Sequence, residues 1–322
     1  MALNGPELAP GTSAAPFITF SSDGVVVRSS RGRVVKDSPS GPVFRYAATC
    51  FDPSSGETAR RVLIGRTLRR GGGPAAFSVM KQLWSGAFRE DFYTLPEPVA
   101  YLPGLNLLVE GRTGGRPLSS YLGDPRGSQM LARLAARWLA RFHETALHGV
   151  PAWDVGHDLE RLDGEAGALA ERYPHLEERI DALARRVAVG TWEIDRDEVV
   201  PTHGAFRPEN VHVGRNRVSA SDFGAVAMAH PARDLAQFIA ESLAGSYHRL
   251  GSFLPVDPWD CAFIQEYVAL LGPERLPPLP LLIARELITH LRTNADRLPP
   301  ETGDAFLDEA DRWLDAGNVS VR

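Results

Sequence analysis

His203-Gly204-Ala205-Phe206-Arg207-Pro208-Glu209-Asn210-Val211 is the stretch on which the reading of this chain turns, and it is followed by Ser221-Asp222-Phe223-Gly224 and by His230-Pro231-Ala232-Arg233-Asp234-Leu235-Ala236. Between the first two lie short β-type runs, Asn210 to Val213 and Arg217 to Ala220, separated by the turn formers Gly214-Arg215-Asn216. The third opens a helix over Asp234–Leu243, where an early carboxylate suits the helix N-terminus. Working outward, apolar residues at helical spacing dominate both flanks. Gln129 to Thr145 places Leu131, Leu134, Ala135, Trp138, Leu139 and Phe142 on one face. Leu159 to Val189 is helical with a break at Tyr173-Pro174, and further helices are expected at Asp260–Leu271, Leu281–Asn294 and Gly303–Leu314.

Upstream of residue 118 the period is two. Phe17–Phe20, Val25–Arg28 and Arg33–Lys36 are expected as short strands with turns at Ser21 to Gly24 and at Ser30-Arg31-Gly32. After a turn at Asp37 to Pro42 come longer strands, Val43–Phe51 and Arg60–Leu68. One helix is expected over Pro74–Ala87, with Ala76, Val79, Met80 and Leu83 on its buried face, and then a hairpin of Val99–Leu102 and Leu105–Val109. The expected fold class is α+β, with residues 17–110 a β-rich small lobe, 111–117 a glycine-rich hinge, 118–322 a helical large lobe and 1–16 a loose tail.

With 43% hydrophobic and 23% charged residues, a chain of 322 residues buries a full core. The formal charge of -5 argues against nucleic acid as its main partner. Cys50 and Cys261 have no metal-ligand spacing and are expected as buried small hydrophobes. Residues 1–16 lack the pattern of a secretory signal and no apolar run suits a bilayer span, so a cytoplasmic protein with no membrane partner is expected. Gly71-Gly72-Gly73-Pro74 lacks the Gly-Lys-Ser/Thr ending of a phosphate loop and is expected as a turn.

Over roughly residues 30–300 the sequence resembles the aminoglycoside phosphotransferase family, relatives of the protein kinases with a two-lobed fold. That family shows His-Gly-Asp, four residues, Asn, an apolar strand, an Asp, and then Asp-Pro-x-x-Asp-Leu-Ala. The spacing matches here, although His230 stands where the last motif begins with Asp. Leu139-Ala140-Arg141-Phe142-His143 and Tyr267 also fit the family's helices. The resemblance implies phosphoryl transfer from Mg²⁺-bound ATP, in which the protein positions the nucleotide and neutralises its phosphates. Asn210 and Asp222 would be the metal ligands, since a hard cation takes oxygen donors. Arg207 would lie near the transferred phosphate, its other reading being a surface residue or a partner of Glu209, while Asp234 would support the loop.

The departures fall on the catalytic parts. Ala205 occupies the position of the catalytic Asp, so no carboxylate takes the acceptor's proton there. The lysine of the third strand aligns with Arg66, whose planar fork differs from an ammonium. The helix from Pro74 has Phe77, Ser78 and Lys81 where its acidic partner is expected; Lys36 is a second candidate phosphate contact. Three alterations together favour a natural pseudokinase that binds nucleotide weakly or not at all and acts through a small-molecule, peptide or protein partner, over a single engineered change. The alternatives are an active phosphotransferase on a hydroxyl and a helper in natural-product biosynthesis. Glu241, Glu266 and Glu286 read either as attractors of a cationic ligand or as solvated helix faces.

Overall fold

The computed structural model describes residues 15–22, 24–36, 41–68, 72–89, 92–122, 128–194, 198–253 and 257–316. Residues 1–14 of the expected tail, the turn residues Asp23 and Asp37 to Ser40, and Arg69, Arg70 and Gly71 lie outside them. The chain forms two compact units. The first holds the residues through Gly115 together with Leu147–Gly149 and Ser219–Ala225; the second holds the rest.

The first unit is built on β1 (Phe20–Ser22), β2 (Val25–Lys36), β3 (Val43–Phe51), β4 (Thr58–Thr67), α1 (Gly73–Ser85), β5 (Tyr93–Thr94), β6 (Pro98–Leu102) and β7 (Leu107–Gly111). Six strands pair antiparallel in the order β1-β2-β3-β4-β7-β6. Alternation along the strands turns Val27, Phe44, Tyr46, Leu63, Leu107 and Val109 into one apolar core. It turns Ile64, Arg66, Leu108 and Glu110 to the other face, and α1 packs on β6 and β7 through Ala76, Val79, Met80 and Leu83.

The turn expected at Ser30-Arg31-Gly32 is instead the middle of the long strand β2, with Ser30, Arg31 and Gly32 paired to Ala48, Ala47 and Tyr46. Ser30 turns its hydroxyl to the backbone of Ile18, accepting from its N–H at 3.0 Å and donating to its carbonyl at 2.8 Å. Phe17–Thr19 is thereby held by a side chain, and the first strand starts only at Phe20. Gly32 is needed for close approach: a Cβ there would lie 2.5 Å from the Tyr46 ring. Gly72 and Gly73, read from the sequence as a turn, cap and open α1.

The second unit begins with β8 (Arg116–Pro117) and α2 (Ser128–His143). It continues through α3 (Val155–Arg172), α4 (Glu177–Glu193), β9 (Val200–Thr202), β10 (Val211–Gly214), β11 (Arg217–Ala220, whose last two residues belong to the first unit) and β12 (Ala227–Ala229). It ends with α5 (Ala232–Leu250), α6 (Asp257–Leu271), α7 (Leu279–Asn294) and α8 (Thr302–Asp315). Helix α2 packs on α6, α5 on α7, α7 on α8 and α3 on α4. A buried guanidinium ties α7 to α3: Arg285 reaches Glu165 at 2.7 Å and Asp158 at 3.3 Å, and Arg161 faces the same two acids. Two antiparallel ribbons, β8 with β10 and β9 with β12, carry the segments singled out in the sequence. Among the described residues no helix is long and apolar enough to cross a membrane.

Candidate functional site

Strand β9 delivers the chain to His203, and Gly204, in the left-handed region at φ 69°, turns it into the loop. Asp234, fully buried in the first turn of α5, clamps that turn by accepting from the N–H of His203 at 2.6 Å and of Gly204 at 2.7 Å. His143, at the end of α2, lies 3.1 Å from the same carboxylate through Nε2 and 2.7 Å from the Tyr267 hydroxyl through Nδ1. Burial lowers the His143 pKa and holds the ring neutral. The network then assigns the tautomer: Nε2–H donates to Asp234 and Nδ1 accepts from Tyr267. Burial pushes the Asp234 carboxyl up, but the hydrogen bonds from His143 and from the His203 backbone outweigh it and keep the group below the ordinary carboxylate range.

The rest of the loop is anchored by packing. Phe206 stacks between Trp138, at 5.6 Å, and Phe238, at 5.8 Å, with Phe263 beyond. Ala205 donates its N–H to His203 Nδ1 at 3.3 Å and accepts from Asn210 Nδ2 at 2.9 Å through its carbonyl. Its methyl group is buried. The bond to Ala205 fixes the Asn210 amide, with its oxygen as the ligand-type atom. Arg207 faces Glu241 of α5 at 3.7 Å, and the other Glu241 oxygen lies 3.3 Å from His290 Nδ1. His290 Nε2 meets His248 Nε2 at 2.8 Å. Glu241 is thus held by Arg207 and His290 of its own unit, as is Glu266 by Arg133 and Arg137, and Glu286 lies in the field of Arg161.

In the first unit a second cluster forms. Arg66, on β4, donates from Nε to Oε1 of Glu110, on β7, at 2.8 Å, and its Nη2 lies 3.4 Å from the Ser221 hydroxyl. Next in the chain, Asp222 takes a left-handed φ of 77° before a 3-10 turn at Phe223–Ala225. Burial raises the pKa of Glu110 against the pull of Arg66, and the Asp222 charge adds to the rise. Lys36 ends β2 on the same row of the sheet, opposite Val43, which is itself opposite Arg66.

The structure therefore gathers Arg66 and Asp222 in one unit and Ala205, Arg207 and Asn210 in one loop of the other. Glu110 was not singled out from the sequence, because pairing it with Arg66 needs the β4–β7 register; its signal was an acid directly continuing an apolar strand. His143, which closes the Leu139–His143 segment that fits the family's helices, is part of the loop support. Cys50 is buried as expected, whereas Cys261 is exposed because α6 turns Trp259, Ala262 and Phe263 inward instead.

Residues 74–279 match the model of a family described as the phosphotransferase enzyme family. Among solved structures, a choline kinase from Cryptosporidium parvum Iowa II aligns at TM-score 0.58 and 12% identity over 89% of each chain. The amicoumacin kinase hAmiN, solved with AMP-PNP, Ca²⁺ and Ami, aligns at 0.57 and 13% over 94% of this chain and 92% of that one. A glucosamine kinase aligns at 0.54 and 16% over 96% of each. At these identities the likeness shows the two-lobed kinase-like fold. No curated protein sequence matches the chain.

Proposed function

The chain belongs to the phosphotransferase enzyme family, and from that premise we propose that it is a pseudokinase, which binds nucleotide and acts by holding a small-molecule, peptide or protein partner without phosphorylating it. The observation that carries this reading is a complete loop scaffold around a missing base. Asp234, His143, His203 and Asn210 hold residues 203–210 in place, and the side chain at position 205 is a buried methyl. General-base assistance contributes about 10²–10⁴ in rate, so its loss removes most transfer while leaving groups that bind.

The residues present fit a nucleotide with a divalent cation. Within the first unit Asp222 offers a carboxylate, a hard oxygen donor of the kind such a cation takes, and Arg66 a guanidinium for phosphate oxygens; within the second, Asn210 offers an amide oxygen. A bound Mg·ATP would supply the phosphoryl group and the countercharge. The net charge of -5 supports a partner other than nucleic acid.

The test is phosphate transfer and ATP turnover by the protein and by Ala205→Asp, with hydroxyl-bearing acceptors supplied. Turnover is expected at background for the protein and above it for the variant. An active phosphotransferase, favoured by the retained Asn210 and Asp222, would turn over as it stands, and that result would overturn the proposal.

A further inference from the structure

In the sequence the helix from Pro74 offers no acid for the strand cation. The structure places one on the sheet instead. We propose that Glu110 is the positioning residue of an anion clamp formed by Arg66, and that the clamp takes the diphosphate of a nucleotide. This rests on the nucleotide-binding reading above and assigns the residue that orients its cation.

Three observations carry the assignment. The first is direction. Glu110 engages Arg66 at Nε, on the flank of the guanidinium, while Nη2 is turned toward Ser221 and so toward the segment that carries Asp222. A guanidinium grips phosphate oxygens most effectively through a fork held in one orientation. The second is burial. The Glu110 side chain is 0% exposed and that of Arg66 17%, so the carboxylate lies beneath and the cation forms the edge that an incoming anion meets. Among the described residues the second carboxylate oxygen is buried without a hydrogen-bond partner, so the bond these residues give Glu110 is its pairing with Arg66.

The third is register. Ile64 lies opposite Glu110 and Arg66 opposite Leu108 on two directly hydrogen-bonded strands. The β4–β7 ladder therefore fixes the pair, and no movement of α1 is needed to make or break it.

The experiment is a double-mutant cycle on the Kd for Mg·ADP, measured by titration calorimetry on the full chain with Arg66→Met, Glu110→Gln and the two combined. Arg66→Met is expected to weaken binding by at least about ten-fold and Glu110→Gln by about five- to ten-fold, in the range of charged hydrogen bonds. On the Arg66→Met background Glu110→Gln should cost nothing further, because Glu110 acts through Arg66. A purely structural role would leave its loss undiminished there, which would overturn the assignment, as would Glu110→Gln binding like the unaltered protein. Glu110→Asp, which keeps the charge, should bind more tightly than Glu110→Gln; the reverse order would also overturn it. Should the unaltered protein itself fail to bind Mg·ADP, the nucleotide reading falls and this assignment falls with it, an outcome distinct from a silent Glu110.

Discussion

Asp234→Asn replaces one carboxylate oxygen by an amide NH2 at the point where the loop is clamped, and its cost can be worked from the bonds there. The carboxylate accepts from two backbone N–H groups and from His143, with no exposure to water. An asparagine has one acceptor oxygen, so its amide must face at least one backbone N–H and leave a buried donor unsatisfied, at about 1–3 kcal/mol. The bonds that remain lose their charge assistance, about 1 kcal/mol each. The sum is about 3–5 kcal/mol. With an unfolding entropy of about 2.1 cal/mol/K per residue, that lowers Tm by roughly 4–7 °C for a chain of this length. Scanning calorimetry of both proteins at neutral pH measures it. The acid limb gives a second reading. A carboxyl whose folded pKa is depressed contributes stability that is present above its unfolded value and lost as pH falls through the folded one. The variant should therefore lose less stability on acidification. A Tm within about 1 °C of the unaltered protein would refute the assignment of Asp234 as the clamp.

Phe206→Ala removes the ring at the centre of the Trp138–Phe238–Phe263 stack and should destabilise by about 3–5 kcal/mol in denaturant unfolding, with an unchanged result contradicting its place in the core. Arg285→Met should cost about 3 kcal/mol by the same measurement, the low end for a broken buried pair, because Arg161 still faces Asp158 and Glu165. Glu110→Gln should change the pH dependence of stability with a defined sign. A raised folded pKa gives a contribution that is present in acid and lost as pH rises through it, so variant stability minus that of the unaltered protein should climb with pH above the ordinary Glu range; a flat difference would count against it.

Long periodic segments were legible because one physical rule, burial of an apolar stripe, fixes them. The helices over 128–143, 155–172 and 279–294 and the strands over 43–51 and 58–67 lie close to their expected places. The loop at 203–210 and its support by Asp234 were legible through the family resemblance that the motifs carry. Ser30 and Gly32 misled because turn-forming composition was read without the tertiary reasons for it, a side-chain bond to Ile18 and contact with the Tyr46 ring. The Arg66–Glu110 pair joins residues 44 apart, and the His143–Asp234 pair residues 91 apart; neither separation follows from a local period. Glu241 shows the same limit: as a helix-face acid its partners Arg207 and His290 come from other elements.

Thermal unfolding with and without millimolar Mg·ATP, on the protein and on Asp222→Asn, tests most directly whether a nucleotide site survives around a loop that lacks its base. A ligand at a hundred times its Kd stabilises by about 2.7 kcal/mol, which raises Tm by roughly 4 °C in a chain of this size. The expected result is that upward shift for the protein and its loss in Asp222→Asn. No shift in the unaltered, folded protein, or an equal shift in both, would contradict the account.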